Sequence, residues 1–203
     1  MAKLNLAIPK QQIELVRDRV ANILYDELSN QYLYTYNKLF EDINVALEGK
    51  NPYIDKTELP IVNVSYVKAN YSNKHQGQAD GKYQIIVEPY CSAPSSATES
   101  GDVKATFDVQ YLLGVCRYIL EDPVYKHLGF SPGFIKRTFV SESVIYEAKK
   151  DDALSTVGAR LLFEVEVVET NDLIVPKLAD GYDTIVKLGL TDKGYIWSTI
   201  QYS

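Results

Sequence analysis

Apolar positions at the start of the chain follow a helical period. Between residues 9 and 49 they recur every three or four positions, as on one face of an amphipathic helix. Pro9 suits a first helical turn, and Gly49 suits a helix end. Ser29 or Asn30 can cap a second helix within this stretch. The sequence therefore predicts one long helix or two successive helices, and we favour two.

The period then changes to two, which is typical of strands. Residues 60–67 and 82–88 are rich in β-branched and aromatic side chains. They flank a polar stretch, residues 70–81, which ends in an Asp80-Gly81 turn signal. We expect a β-hairpin with an extended polar tip.

A central helix is predicted next. Asp102 suits an N-cap, and apolar side chains recur at helical spacing from there until Asp122-Pro123 ends the pattern. Gly114 lies inside this helix, where glycine costs about 1 kcal/mol relative to alanine. We therefore expect another backbone to approach Gly114 closely.

A second hairpin is predicted after the helix. Residues 138–146 and 161–168 have strand character, and the charged residues 149–158 form its predicted tip. Glu164 and Glu166 are two positions apart, so they share one face of the second strand.

The order of elements predicts an α+β fold. N-terminal helices precede two β-hairpins, which form an antiparallel or mixed sheet with the central helix packed on one face. The turn-rich residues 171–203 are predicted to form an extended C-terminal arm. The expected division is a domain of residues 1–170 and an arm of residues 171–203.

Composition and charge narrow the function. The 203 residues include 21 basic and 27 acidic side chains, a formal net charge of −6, so tight binding of a phosphate backbone is disfavoured. Sixteen tyrosines against one tryptophan favour half-buried surfaces and subunit contacts. No run approaches the ~18 apolar residues of a membrane span, so we expect a soluble protein without a membrane partner.

Residues that could carry catalysis are few. His75 and His127 are the only histidines, and neither has an acidic residue at a motif spacing. Cys91 and Cys116 have no basic cluster beside them that would lower a thiol pKa, so two buried free thiols are expected. No glycine-rich phosphate loop is present. We expect no enzyme, catalytic residue, cofactor or metal.

The remaining candidates are contact residues. Asp151 and Asp152 are adjacent in the predicted tip, and the Glu164/Glu166 pair could hold a metal or do acid–base work, although a solvated sheet face is favoured. A tyrosine run in the N-terminal helical region could stack on bases, but a helix or subunit contact is favoured. The candidate subunit-contact or lumen residues are Asp151, Asp152, Glu164, Glu166, Tyr32 and Tyr36.

The whole arrangement resembles the tail terminator and tail-completion proteins of tailed bacteriophages. The similarity spans roughly residues 9–170. It rests on a leading helix, the hairpin opened by Leu59–Val64, the helical segment Asp108–Leu113 and the hairpin of residues 137–169. A ring protein in the tail of a crAss-like phage is equally compatible with this order.

The resemblance implies a structural virion protein, assembled in the host cytoplasm. It would form a homo-oligomeric ring, six- or twelve-fold, at the head–tail junction, neck or tail. Its implied partners are adjacent portal, adaptor, neck or tail proteins, and DNA that passes through the lumen without specific binding. Lumen acids would repel phosphate.

Two other readings remain open. The first is a non-viral soluble module that binds another protein or a small ligand. The second is a cryptic hydrolase that uses Cys91 or the Glu164/Glu166 pair.

Overall fold

The computed structural model describes residues 10–48, 59–75, 78–96, 98–151 and 154–170, and the backbone of residues 184–191 and 194–200; at 73–75, 78, 149–151 and 170 it describes the backbone alone. Contacts within the chain define two compact units. One is Pro9–Thr170, and the other contains Met1–Ile8 and Asn171–Ser203.

The N-terminal helical pattern forms one α-helix, α1, Gln12–Thr35. At its start the Gln11 N–H donates to Glu14 Oε2 (2.8 Å), half of a capping box. The helix ends where Tyr36 adopts a left-handed conformation, with φ 52°. Its buried side chains are Ile13, Val16, Val20, Ala21, Ile23, Leu24 and Leu28.

The predicted second helix is wrong. A 3₁₀ turn, Lys38–Phe40, and a strand, β1, Asn44–Leu47, occupy its place. The Asn37 side chain accepts a hydrogen bond from the Leu39 N–H (3.0 Å) and so supports the tight turn. Phe40 and Ile43 are buried at helical spacing, but the chain between them is a turn. These two side chains therefore reach the core from a turn rather than from a helix, although their spacing is helical.

The strands of the first unit form one mixed sheet. Besides β1, its strands are β2, Ile61–His75; β3, Gln78–Pro94; β4, Ile135–Ile145; β5, Lys149–Asp151; and β6, Leu154–Thr170. The strand order is β1-β2-β3-β6-β4, and β5 also pairs with β6. β1 pairs with β2 in parallel, and every other pair in this sheet is antiparallel. The α+β fold with a mixed sheet is thus confirmed.

Both predicted hairpin tips are largely strand. β2 and β3 remain paired out to His75 and Gln78, so most of the polar stretch 70–81 belongs to the ladder. The charged stretch 149–158 contains β5 and the first residues of β6. Residues 70–72 are exposed strand positions, which need no apolar alternation, so the polar sequence there resembles a loop. In the second stretch Ser155 and Thr156 are buried, so small polar residues conceal a buried strand.

The hydrophobic core lies between one sheet face and the two helices. α2, Gly101–Glu121, packs against β3 and β6, while α1 packs against β2. A Cβ on Gly101 would lie 2.5 Å from the Ala93 carbonyl oxygen, so the start of α2 sits directly on β3. Tyr83, Leu112 and Phe163 are fully buried between these layers. Within the described residues, neither helix is long and apolar enough to cross a membrane.

The second unit contains a two-stranded antiparallel sheet. It consists of β7, Thr184–Thr191, and β8, Gly194–Ile200. These strands lie within the predicted C-terminal arm.

Candidate interaction surfaces

The outward face of α2 is uncharged along four turns. We call this surface the α2 stripe: Val103, Phe107, Gln110, Tyr111, Gly114 and Tyr118. Phe107 is 63% exposed and Tyr118 is 75% exposed. The opposite face of the same helix is buried against the sheet through Ala105, Val109, Leu112, Leu113, Cys116, Ile119 and Leu120. The exposed side of α2 therefore carries an uncharged, largely apolar strip, which is flanked by Lys104 and Arg117.

Gly114 has open space where a side chain would be. Among the described residues, no atom lies within 4 Å of a Cβ built on it. The predicted close approach of another backbone is therefore not made within the part of the chain that the structure describes, because the glycine is on the side of α2 that faces solvent. No contact of the described residues offsets the helix-propensity cost of this glycine.

A shallow groove of about 310 Å³ lies beside the stripe. It is bounded by Gln31 of α1 and by Tyr111, Gly114, Val115 and Tyr118 of α2. Tyr111 also contacts the buried Phe40 ring, with centroids 5.7 Å apart, which fixes one wall of the groove. Its lining has an aromatic and amide character without a charged group.

The end of α1 presents a cluster of tyrosines, Tyr32, Tyr34 and Tyr36, which we call the tyrosine end of α1. Tyr32 and Tyr36 meet edge to face, with centroids 6.4 Å apart, so the structure brings these two predicted contact residues together. Tyr32 Oη donates to Glu41 Oε1 (3.0 Å), and this bond raises the pKa of the Tyr32 phenol. Tyr34 and Tyr36 are 80% and 78% exposed.

Glu164 lies on the sheet face opposite the helices, the outer sheet face, but it is only 6% exposed. Its Oε2 lies 2.5 Å from Lys82 Nζ, and its Oε1 accepts a hydrogen bond from Gln84 Nε2 (3.2 Å). Burial raises the pKa of this carboxyl, but the bonds from Lys82, Gln84 and Ser141 outweigh it and hold the pKa below its usual value. Its carboxylate is engaged within the chain.

Glu166 shares the outer sheet face with Glu164, as predicted from their spacing. It pairs in register with Lys82 on β3 and Arg137 on β4, so two cations flank it. Those cations also contact the ring of Phe139: Arg137 Cζ lies 4.6 Å and Lys82 Nζ 5.4 Å from its centroid. The outer sheet face is thus a mixed-charge surface rather than an acidic one.

The two aspartates of the predicted tip are less well placed. The backbone of Asp151 pairs with Leu154 in the β5–β6 ladder. Asp152 lies outside the described residues. Neither side chain has a position that can be compared with the other candidates.

Groups that could act as nucleophiles or metal ligands are separate or buried. Burial raises the pKa of the Cys91 thiol well above its usual value and that of Cys116 to about 12. Both are free and buried. Within the described ranges, no three His, Cys, Asp or Glu side chains form a group that could hold a metal ion.

The α2 stripe is the surface that sequence reasoning missed. The pattern does contain it, since Val103, Phe107, Tyr111 and Tyr118 belong to the apolar residues at helical spacing that predict this helix. A helix with apolar residues on so wide an arc normally has partners on both sides.

Comparisons with known proteins give a weak structural likeness. No family model matches the chain. No curated protein matches it. Among solved structures, a chain from the virion of a native gene transfer agent (GTA) particle is similar with a TM-score of 0.37 and 12% identity, over 72% of this chain and 97% of that chain. A TM-score this low does not establish a common fold, and no function follows from it.

Proposed function

We propose that this chain is a structural protein of a tailed-phage virion that forms a ring around the DNA channel at the head–tail junction, neck or tail. The observation that carries the proposal is the amount of aromatic surface left uncovered on the helix layer. Tyr34, Tyr36, Phe107 and Tyr118 are each more than 60% exposed. A monomer in water gains nothing from exposing rings at this density, whereas subunit contacts are enriched in them.

A closed ring needs two different patches that meet on neighbouring copies. The tyrosine end of α1 supplies one patch, because Tyr34 and Tyr36 project where their own chain leaves them exposed. The mixed-charge outer sheet face, with Glu166 between Lys82 and Arg137, supplies a chemically different surface. Tyrosine suits such a contact, since its ring is apolar and its hydroxyl reaches polar partners.

The charge of the chain supports a channel role. With a net charge of −6, a ring accumulates negative charge in proportion to its copy number, which repels DNA phosphates and lowers the barrier to sliding. DNA would pass through the lumen without specific contacts. The neighbours along the channel would be portal, adaptor, neck or tail proteins.

The first experiment is the mass in solution, measured by light scattering behind size exclusion over a range of concentration and salt. A discrete six- or twelvefold multiple of 22.9 kDa supports the ring, and negative-stain images should then show an open centre. Tyr34→Arg should prevent ring closure, because it replaces an exposed ring of the proposed contact by a charged side chain. Tyr34 makes no hydrogen bond among the described residues, so the change should leave the fold undisturbed. If the Tyr34→Arg variant still forms closed rings, the tyrosine end of α1 is not part of the contact.

A second candidate is a module that binds a small apolar or aromatic ligand. The groove beside the α2 stripe favours it, because its volume of about 310 Å³ is at the lower end of small-molecule sites. A thermal melt of the monomer in the presence of aromatic fragments tests this candidate. Protection that Gly114→Leu abolishes would support ligand binding over assembly.

A further inference from the structure

We infer that the α2 stripe is a self-association surface, on which a second copy of the chain places its own α2 in antiparallel orientation across Gly114. The inference concerns a pair of copies and does not depend on ring formation. The stripe of one copy would meet the stripe of the other, so each copy contributes the same residues and the interface has a two-fold axis.

The first argument is that the exposed side of α2 has an uncharged strip. Its buried side packs on β3 and β6, and its exposed side carries Val103, Phe107, Tyr111 and Tyr118. Lys104 and Arg117 flank this strip, and Glu121 follows it. An apolar strip with a charged rim is typical of a surface that a protein partner covers.

The second argument is the position of Gly114. The glycine lowers the stability of an isolated helix by about 1 kcal/mol, and no atom of the described residues comes near its missing side chain. It lies in the stripe between Tyr111 and Tyr118, where a side chain would hold a partner helix away. Small residues at a crossing point let two helix backbones approach closely.

The third argument is charge. Asp102 and Lys104 lie beside the N-terminal end of the stripe, whereas Arg117, which pairs with Glu121 (2.9 Å), and Asp122 lie at its C-terminal end. An antiparallel arrangement brings Lys104 of each copy to the end of the second copy that carries Glu121. A parallel two-fold arrangement would place each charged group beside its own copy, so the antiparallel arrangement has the smaller repulsion.

The fourth argument is area. Val103, Phe107, Tyr111 and Tyr118 are 45%, 63%, 47% and 75% exposed. With ~150–250 Å² per aromatic side chain, they expose about 400 Å² of apolar surface per copy. A standard interface buries ~800 Å² per partner, of which somewhat more than half is apolar. The stripe therefore supplies nearly the full apolar share of a stable contact.

Cysteine cross-linking tests both the pairing and its direction. Gly114→Cys fits without a clash and would face its counterpart close to the two-fold axis. Val103→Cys is the matched control, because antiparallel pairing about Gly114 separates the two copies of residue 103 by ~30 Å at 1.5 Å rise per residue. The native cysteines are buried and do not compete.

Mild oxidation should convert Gly114→Cys, but not Val103→Cys, to a covalent dimer on a non-reducing gel. Cross-linking of both variants would indicate parallel pairing and overturn the inference, as would cross-linking of neither. Sedimentation equilibrium provides the second measurement: Tyr118→Arg should weaken dimerisation at least tenfold, and Tyr34→Arg should leave it unchanged. If Tyr34→Arg alone weakens the dimer, the contact lies at the tyrosine end of α1 instead.

These variants also separate this inference from the ring. Tyr34→Arg is expected to abolish rings and keep pairs, whereas Tyr118→Arg is expected to abolish pairs. A protein that cross-links through Gly114→Cys but never forms rings supports the pairing and contradicts the ring.

Discussion

The Lys82–Glu164 pair on the outer sheet face allows a quantitative prediction. Glu164 is nearly buried, with its side chain 8% exposed, whereas the Lys82 side chain is 41% exposed. Lys82→Met keeps most of the aliphatic stem and removes the ammonium group, so the carboxylate of Glu164 is left in a poorly solvated place. Gln84 still donates to it (3.2 Å) and limits the loss.

The size of the effect follows from the unequal exposure of the two groups. Exposed pairs contribute ~0.2–1 kcal/mol, and removal of one partner from a fully buried pair costs ~3–5 kcal/mol. A half-exposed cation on a buried carboxylate lies between these limits, so we expect a loss of about 2 kcal/mol. For a unit of this size, that is a fall in Tm of about 4–8 °C. The control, Lys136→Met, removes a pair with Asp80 whose partners are 38% and 24% exposed, and should cost less than about 1 kcal/mol.

The pH dependence distinguishes this explanation from lost packing. In the native protein the pKa of Glu164 is lowered, so its contribution is present above the unfolded value of 4.5 and is lost as the pH falls through the folded pKa. In Lys82→Met, burial without the cation raises that pKa, and protonation relieves the penalty. Denaturant unfolding at pH 7 and pH 4 should therefore show the difference between native protein and variant shrinking with acid. A difference that is the same at both pH values, or equal to that of Lys136→Met, would refute the electrostatic reasoning.

Three further predictions concern glycine and cysteine positions. Gly101→Ala should lower stability by about 2 kcal/mol in denaturant unfolding, because the new Cβ would lie 2.5 Å from the Ala93 carbonyl oxygen. Gly114→Ala should instead stabilise the monomer by about 1 kcal/mol in dilute solution, and a loss there would show that the site is not open. Cys91 and Cys116 should resist a disulfide thiol reagent in the folded protein and react fully after unfolding, since burial raises both thiol pKa values; labelling of the native state would contradict this.

Sequence patterning identified the elements whose burial dictates their period. The core side of β6, with Leu161, Phe163 and Val165, alternates strictly because one face meets α2. The same rule placed Glu164 and Glu166 on one face. It could not show that Glu164 is buried, because that depends on Lys82 and Gln84, which come from a distant part of the chain.

The hydrophobic pattern gave wrong predictions where the conformation of a single residue decides the structure, or where a contact is made outside the chain. The helical period from Tyr36 to Leu47 was broken by one left-handed residue, Tyr36, which no spacing rule detects. The first polar stretch resembles a loop because its strand positions at 70–72 are exposed, whereas in the second stretch the polar residues Ser155 and Thr156 are buried in the ladder. Glycine at position 114 predicts that another backbone comes close, but a single sequence cannot tell an approach within the chain from one made by a second copy.

The ring and the α2 pair together constrain the assembly more than either does alone. Copies in a cyclic ring share one orientation along its axis, whereas antiparallel pairing about a two-fold axis reverses it. Pairs joined through Gly114 therefore cannot lie within one such ring, and they would connect two rings face to face. We expect light scattering on the unmodified chain to give pairs, of twice 22.9 kDa, at low concentration and double rings at high concentration. Tyr118→Arg should halve the mass of the large species without opening it. If the large species of that variant has the same mass as that of the unmodified chain, the α2 stripe has no part in joining rings.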